Sequence, residues 1–68
     1  MSTDADEIKA NLKKLNARAV QAKMDLHDLS EELPVGLENV PAVARRVTEA
    51  YTALAAARAD LKAVEASV

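Results

Sequence analysis

Apolar residues recur along two stretches of the chain at spacings that alternate between four and three residues. Because an α-helix has about 3.6 residues per turn, this alternation places each series along one face of a helix. Unbroken heptads of this kind are typical of helices that pack lengthwise. The two series are Ile8, Leu12, Leu15, Ala19, Ala22, Leu26, Leu29 and Leu33, and then Val43, Val47, Ala50, Leu54, Ala57, Leu61, Val64 and Val68. The pattern predicts two long helices, each with one apolar seam.

Two prolines and the only glycine of the chain separate the two series. Pro34 disfavours a helical conformation in the residue before it, whereas Pro41 suits the first turn of a helix. The sequence therefore predicts one domain over residues 1–68, folded as an antiparallel helical hairpin. Helix one is expected at about 4–33, the turn at 34–40 and helix two at about 41–66.

Composition supports an all-α fold and indicates how it is stabilised. Only 1% of the 68 residues are aromatic, and there is no cysteine, which excludes disulfides and cysteine-based metal sites. A hairpin of this size buries only a narrow stripe per helix, so it needs further stabilisation. We therefore expect a homodimer, in which two hairpins form an antiparallel four-helix bundle. The expected core and dimer residues are Leu12, Leu15, Leu26, Leu29, Val47, Leu54 and Leu61.

The charge balance and the length of the apolar runs indicate which partners the protein binds and where in the cell it is located. The chain contains nine lysines and arginines and eleven aspartates and glutamates. A protein that neutralises phosphates normally carries an excess of basic residues instead. Nucleic acid is therefore not the expected partner. The acidic first residues do not resemble a signal peptide, and no apolar run reaches the ~18 residues of a membrane span. We expect a cytoplasmic protein with no membrane partner.

Helix one ends in a cluster of acidic residues, although the helix macrodipole favours cations at that end. One interpretation is that Arg45 and Arg46, across the turn, form ordinary solvated salt bridges with these acids. The other is a site for a divalent ion, nickel or zinc, formed by His27, Asp28 and Glu31 and completed by a two-fold axis. Apart from such an ion, no cofactor is predicted. The cluster consists of Asp25, Asp28, Glu31 and Glu32.

His27 lies just outside the seam, on a helix face that also carries Val20 and Met24. Scattered apolar residues on a surface are ordinary, so these residues need not have a function. The alternative, which we favour, is that the stripe and the acidic helix end together contact a partner protein. The expected partner-binding residues are Val20, Met24, Asp25, His27 and Glu32.

No arrangement of residues in the sequence indicates catalysis. Neither a serine nor a cysteine lies near the histidine in a recognisable pattern, and there is no glycine-rich phosphate loop. We therefore expect no enzymatic activity. A run of basic residues along helix one is explained either by RNA binding or by a solvated face beside a heptad seam. These residues are Lys9, Lys13, Lys14, Arg18 and Lys23.

Residues 23–34, Lys-Met-Asp-Leu-His-Asp-Leu-Ser-Glu-Glu-Leu-Pro, followed by Pro-Ala-Val-Ala at 41–44, resemble the Rop-like family of small proteins encoded in bacterial nitrogen-fixation gene clusters. The resemblance covers nearly the whole chain. It implies a helical hairpin that dimerises into a rod, and it implies that His27 occupies a position associated with a bound metal ion. The similarity to the plasmid regulator Rop is architectural, so RNA binding does not follow from it.

From these observations we expect a non-catalytic accessory or adaptor protein of nitrogen fixation. It would present the stripe and the acidic helix end to a nitrogenase component, an assembly factor or an electron carrier. A divalent-metal-binding module centred on His27 is the first alternative. A Rop-like RNA-binding regulator is the second.

Overall fold

The computed structural model describes residues 3–66, with side chains from Ala5 onwards. Helix α1 spans Thr3–Glu32, a short 3-10 helix spans Leu37–Asn39, and helix α2 spans Val40–Ala66. The two long helices pack along each other as a rod of 52 × 14 × 13 Å, and the described residues contain no strand. The predicted all-α hairpin is confirmed.

The two helix ends at the turn each differ from the predicted ones by one residue, and both differences have local causes. Helix α1 ends at Glu32, one residue early, because Pro34 disfavours a helical conformation in Leu33. Helix α2 begins at Val40, one residue before Pro41, because the 3-10 helix leads directly into it. There the backbone N–H of Val40 donates to the carbonyl oxygen of Leu37. The last predicted seam residue, Val68, lies outside the described residues.

The turn is closed by three backbone hydrogen bonds and one left-handed glycine. Val35 N donates to Glu32 O (3.0 Å), Leu37 N to Pro34 O (3.2 Å) and Asn39 N to Gly36 O (2.9 Å). Gly36 has a φ of 79°, in the left-handed region, where residues with a β-carbon have a higher conformational energy. A β-carbon at this position would lie 2.9 Å from Cδ1 of Leu29. The turn therefore holds the chain close to the end of α1.

The core of a single hairpin follows the predicted seam, but small residues dominate it. Three of the five buried residues are alanines, which let the helix backbones approach closely. Among the described residues, Leu54 is the largest side chain to be fully buried. The buried residues are Ala19, Ala22, Val43, Leu54 and Ala57, all members of the two apolar series.

Most of the expected core and dimer residues are half-buried on a single hairpin. Of the seven predicted core residues only Leu54 is buried, and the remaining six are half-buried on a single hairpin. Leu33 lies beyond the end of α1 and is exposed. The half-buried residues are Leu12, Leu15, Leu26, Leu29, Val47 and Leu61.

Candidate functional site

The outer surface of α1 carries a short stripe that is well exposed. Val20 is 43% exposed and Met24 is 54% exposed, and the His27 side chain is also largely in solvent. Because successive residues rotate by about 100° around the helix, these three residues and Glu31 fall within an arc of about 60°. We call Val20, Met24 and His27 the outer stripe. The structure thus brings together three of the five predicted partner-binding residues.

The other two predicted partner-binding residues, Asp25 and Glu32, lie elsewhere. Both line the space between the two helices, more than about 100° around α1 from the outer stripe. Oδ1 of Asp25 accepts a hydrogen bond from Nε2 of Gln21 at 2.9 Å, and its Oδ2 lies 3.8 Å from Nη1 of Arg46. The predicted group is therefore divided between two faces of the hairpin.

Asp28 and Glu31 surround His27 loosely. Nε2 of His27 lies 3.1 Å from Oε1 of Glu31, one turn further along α1, and Nδ1 lies 3.8 Å from Oδ1 of Asp28. All three side chains are largely exposed, so these contacts are solvated and weak. In the described residues, no group of three or more histidine, aspartate or glutamate side chains converges as metal ligands. A single chain offers a two-point contact here.

One of the acidic residues at the end of α1 forms the kind of surface ion pair with an arginine that the first interpretation predicts. Arg46 approaches Asp25, as the sequence led us to expect, across the turn. Arg45, however, is exposed and forms no ion pair within the part of the chain that the structure describes. At the end of α1, Glu32 likewise has no basic partner among these residues, and the last turn of the helix carries no basic residue.

The basic residues of α1 do not form one surface. All five are exposed, but the helical rotation distributes them over two flanks of α1. Lys9, Lys13 and Lys23 lie on the flank of the outer stripe, whereas Lys14 and Arg18 lie on the flank of Asp25. A phosphate backbone laid along one flank would therefore meet only part of the basic set.

An open groove of about 420 Å³ runs between α1 and α2 on the flank of Asp25. Its apolar part contains a half-buried leucine and three alanines, and its rims are charged. A second groove, of about 370 Å³, continues toward the turn and shares Asp25 and Arg46 with the first. We call the first the interhelical groove. Its lining residues are Leu15, Arg18, Gln21, Ala22 and Asp25 of α1 and Arg46, Glu49, Ala50 and Ala53 of α2.

Sequence reasoning did not identify this groove as a site. The signal was nevertheless present, because Arg18 and Asp25 on α1 and Arg46 and Ala53 on α2 are spaced by seven residues directly beside the two seams. Heptad spacing beside a seam places residues on one flank along the whole helix.

Over the described residues, neither α1 nor α2 contains an apolar stretch long enough to cross a membrane.

Comparisons with known proteins agree with this architecture. A family model described as Rop-like matches residues 3–66. A UPF0437 protein of Azorhizobium caulinodans is 44% identical over 94% of this chain and 93% of its own length. A UPF0437 protein of Frankia alni, described as lying in the nifX-nifW intergenic region, is 46% identical over 76% of this chain and 63% of its own length.

A solved structure extends the comparison to three dimensions. An NMR structure from the Northeast Structural Genomics Consortium has a TM-score of 0.85 and 49% sequence identity. The match covers 96% of this chain and 92% of the other. Both the sequence and the backbone therefore match along almost the entire hairpin. The chain belongs to the Rop-like family.

Proposed function

We propose that this chain is a non-catalytic accessory protein associated with nitrogen fixation, which acts through protein contacts as a dimeric helical bundle. The association is supported by the Frankia alni relative, which is described as lying in the nifX-nifW intergenic region. The action through contacts is supported above all by the outer stripe, where two sizeable apolar side chains and an imidazole stand together on a convex surface.

The chemistry of the outer stripe suits a protein partner. Met24 is flexible and polarizable, so it adapts to irregular apolar surfaces. Val20 and Met24 are one turn apart, and His27 and Glu31 continue the ridge toward the turn, as in helices that dock into grooves. We assign the partner to the proteins of nitrogen fixation, as a nitrogenase component, an assembly factor or an electron carrier.

In this role the chain catalyses no reaction. His27 stands on an open surface, where water competes for each of its contacts. Ser30, the hydroxyl nearest to it along the chain, donates a hydrogen bond to the backbone oxygen of His27 at 2.7 Å. That hydroxyl is thus engaged by the backbone, whereas a nucleophile would be paired with the imidazole.

The experiment is capture of partners by the tagged chain from cells grown under nitrogen-fixing conditions. A Met24→Asp, His27→Ala double variant removes two of the three side chains of the outer stripe. Ala59→Asp, which places an acid at an exposed position of α2, serves as the matched control. We expect the wild type and Ala59→Asp to recover the same nitrogen-fixation protein and the double variant to lose it. Recovery of the same proteins by all three chains would refute the role of the outer stripe.

A further inference from the structure

We propose that the outer stripe belongs to a larger docking face, which binds an acidic, amphipathic segment of the partner protein. This inference rests on the proposed function and names the chemistry of its partner. The face lies on the side of the hairpin away from the interhelical groove. We call it the basic face, because beside the outer stripe it carries Lys9, Lys13 and Lys23 of α1 and Arg58 and Lys62 of α2.

The contact between Asp25 and Arg46 defines which residues of the two helices lie level with each other. Oδ2 of Asp25 and Nη1 of Arg46 are 3.8 Å apart, so the two residues lie at about the same level of the rod. Because antiparallel helices both advance by about 1.5 Å per residue, residues equally distant from this contact also lie level with each other. The level pairs are Val20 and Tyr51, Lys13 and Arg58, and Lys9 and Lys62.

These level pairs also share one side of the hairpin. On α1, the three lysines of the basic face lie on the flank of the outer stripe, which turns away from the groove. On α2, Tyr51 and Ala53 are about 160° apart around the helix, so Tyr51 turns away from the groove that Ala53 lines. Arg58 and Lys62 fall within about 20° of Tyr51. Tyr51 is 38% exposed, so it adds an aromatic surface at the level of Val20.

Positive charge is concentrated on the basic face and is not balanced within the described residues. None of its five cations forms an ion pair there. Within residues 9–27 of α1 and 44–62 of α2, the acidic residues all lie on the flank of the groove instead. Four of the cations form two level pairs, so like charges stand across the hairpin from each other. The acids on the flank of the groove are Asp25, Glu49 and Asp60.

The distribution of charge and apolar surface along the basic face specifies the chemistry of the partner. Val20, Met24 and Tyr51 form an apolar area, and the two level pairs of cations extend from it along the rod. From Lys9 to His27 the face is about 27 Å long, which corresponds to about five turns of a helix. A segment of that length would place apolar residues on the first area and carboxylates on the second.

A protein segment suits the basic face better than a nucleic acid does. A phosphate backbone is bound by cations and would leave the aliphatic side chains of Val20 and Met24 without contacts. The chain as a whole has a net charge of -2, and the carboxylates on the flank of the groove repel a polyanion. An amphipathic acidic segment uses both the apolar and the cationic parts of the face.

The test is zero-length cross-linking of the tagged chain to its partner in an extract of nitrogen-fixing cells. A carbodiimide joins a lysine amine to a carboxylate only where the two are in contact, and mass spectrometry identifies both residues. We expect Lys9, Lys13 and Lys62 to be joined to aspartates or glutamates of the partner. Lys14, on the flank of the groove, is the internal control and should not be joined to the partner.

Two double charge reversals measure how much the basic face contributes to binding. Lys13→Glu with Arg58→Glu reverses one level pair. Lys14→Glu with Arg45→Glu makes the same change in net charge more than about 90° around each helix from that pair. We expect the first variant to capture about tenfold less partner and the second to capture the wild-type amount. Circular dichroism checks that both variants fold, and high salt should weaken capture by the wild type.

The negative outcomes separate this inference from the proposed function. If the wild type captures no nitrogen-fixation protein, both are overturned. If capture depends on the outer stripe but not on Lys13 and Arg58, the basic face is overturned and the proposed function stands. The same conclusion follows if Lys14 is joined to the partner as often as Lys13. Capture that nuclease treatment abolishes would assign the face to a nucleic acid and overturn the acidic segment.

Discussion

At the scale of single residues, the stability of the hairpin depends strongly on Leu54. It is 2% exposed, and truncation to alanine would leave a cavity between helices that already contain alanine at most of their contact positions. We expect Leu54→Ala to lower the free energy of unfolding by about 2–5 kcal/mol, measured by urea denaturation. Leu37→Ala, at a position that is 59% exposed, is the control and should change it by less than about 0.5 kcal/mol. Equal effects of the two substitutions would contradict this assignment.

The acidic residues near the end of α1 lie on two different faces of the helix. Grouping them because they are neighbours in the sequence could not predict this. Asp25 lies beside Met24 along the chain, but the helical rotation turns it toward α2 and Arg46. The residues of the outer stripe, Val20, Met24 and His27, share one face of α1 because their spacing of four and three follows that rotation. Spacing, and not proximity along the chain, carries information about faces.

At the scale of secondary structure, nearly all of the hairpin could be predicted. Alternating spacings and the two prolines act within a few residues, so they determine where each helix lies without any knowledge of tertiary packing. The degree of burial of each leucine depends instead on the distance and relative rotation of two helices. That is why the half-burial of Leu15 and Leu26 on one hairpin could not be predicted from their spacing alone.

The C-terminal end of α1 is electrostatically unfavourable. Glu32 ends the helix, where the macrodipole favours a cation, and no basic residue occupies the last turn. We expect Glu32→Lys to raise the free energy of unfolding by about 0.3–1 kcal/mol at low ionic strength, measured by thermal or urea unfolding. High salt should reduce this gain, because the charges are exposed.

Asp6→Lys provides a control of opposite sign near the other end of α1. There the macrodipole favours an acid, so the substitution should destabilise the hairpin under the same low-salt conditions. Two substitutions that shift stability in the same direction would indicate that the dipole of α1 does not govern these positions. Such a result would point instead to the overall charge of the chain.

At the scale of the whole molecule, folding and association should be coupled. Among the residues whose side chains the structure describes, five are buried and three of these are alanine, which is a small core for a helical hairpin. Because association stabilises the folded state by mass action, raising the chain concentration about 100-fold should raise Tm by several degrees. Circular dichroism melts at a series of concentrations measure this. A Tm that is independent of concentration would mean that a single hairpin unfolds alone.

The exposed turn influences how such rods meet each other. Val35 and Leu37 are exposed in it. In the proposed dimer, an antiparallel pair of hairpins would carry one turn at each pole. Apolar poles of this kind would join rods into open filaments, since nothing in a head-to-head contact limits its repetition. Glu32 and Glu38 flank each turn, however, so two approaching poles bring like charges together. The acids that weaken the end of α1 would thereby keep the proposed dimers separate from one another.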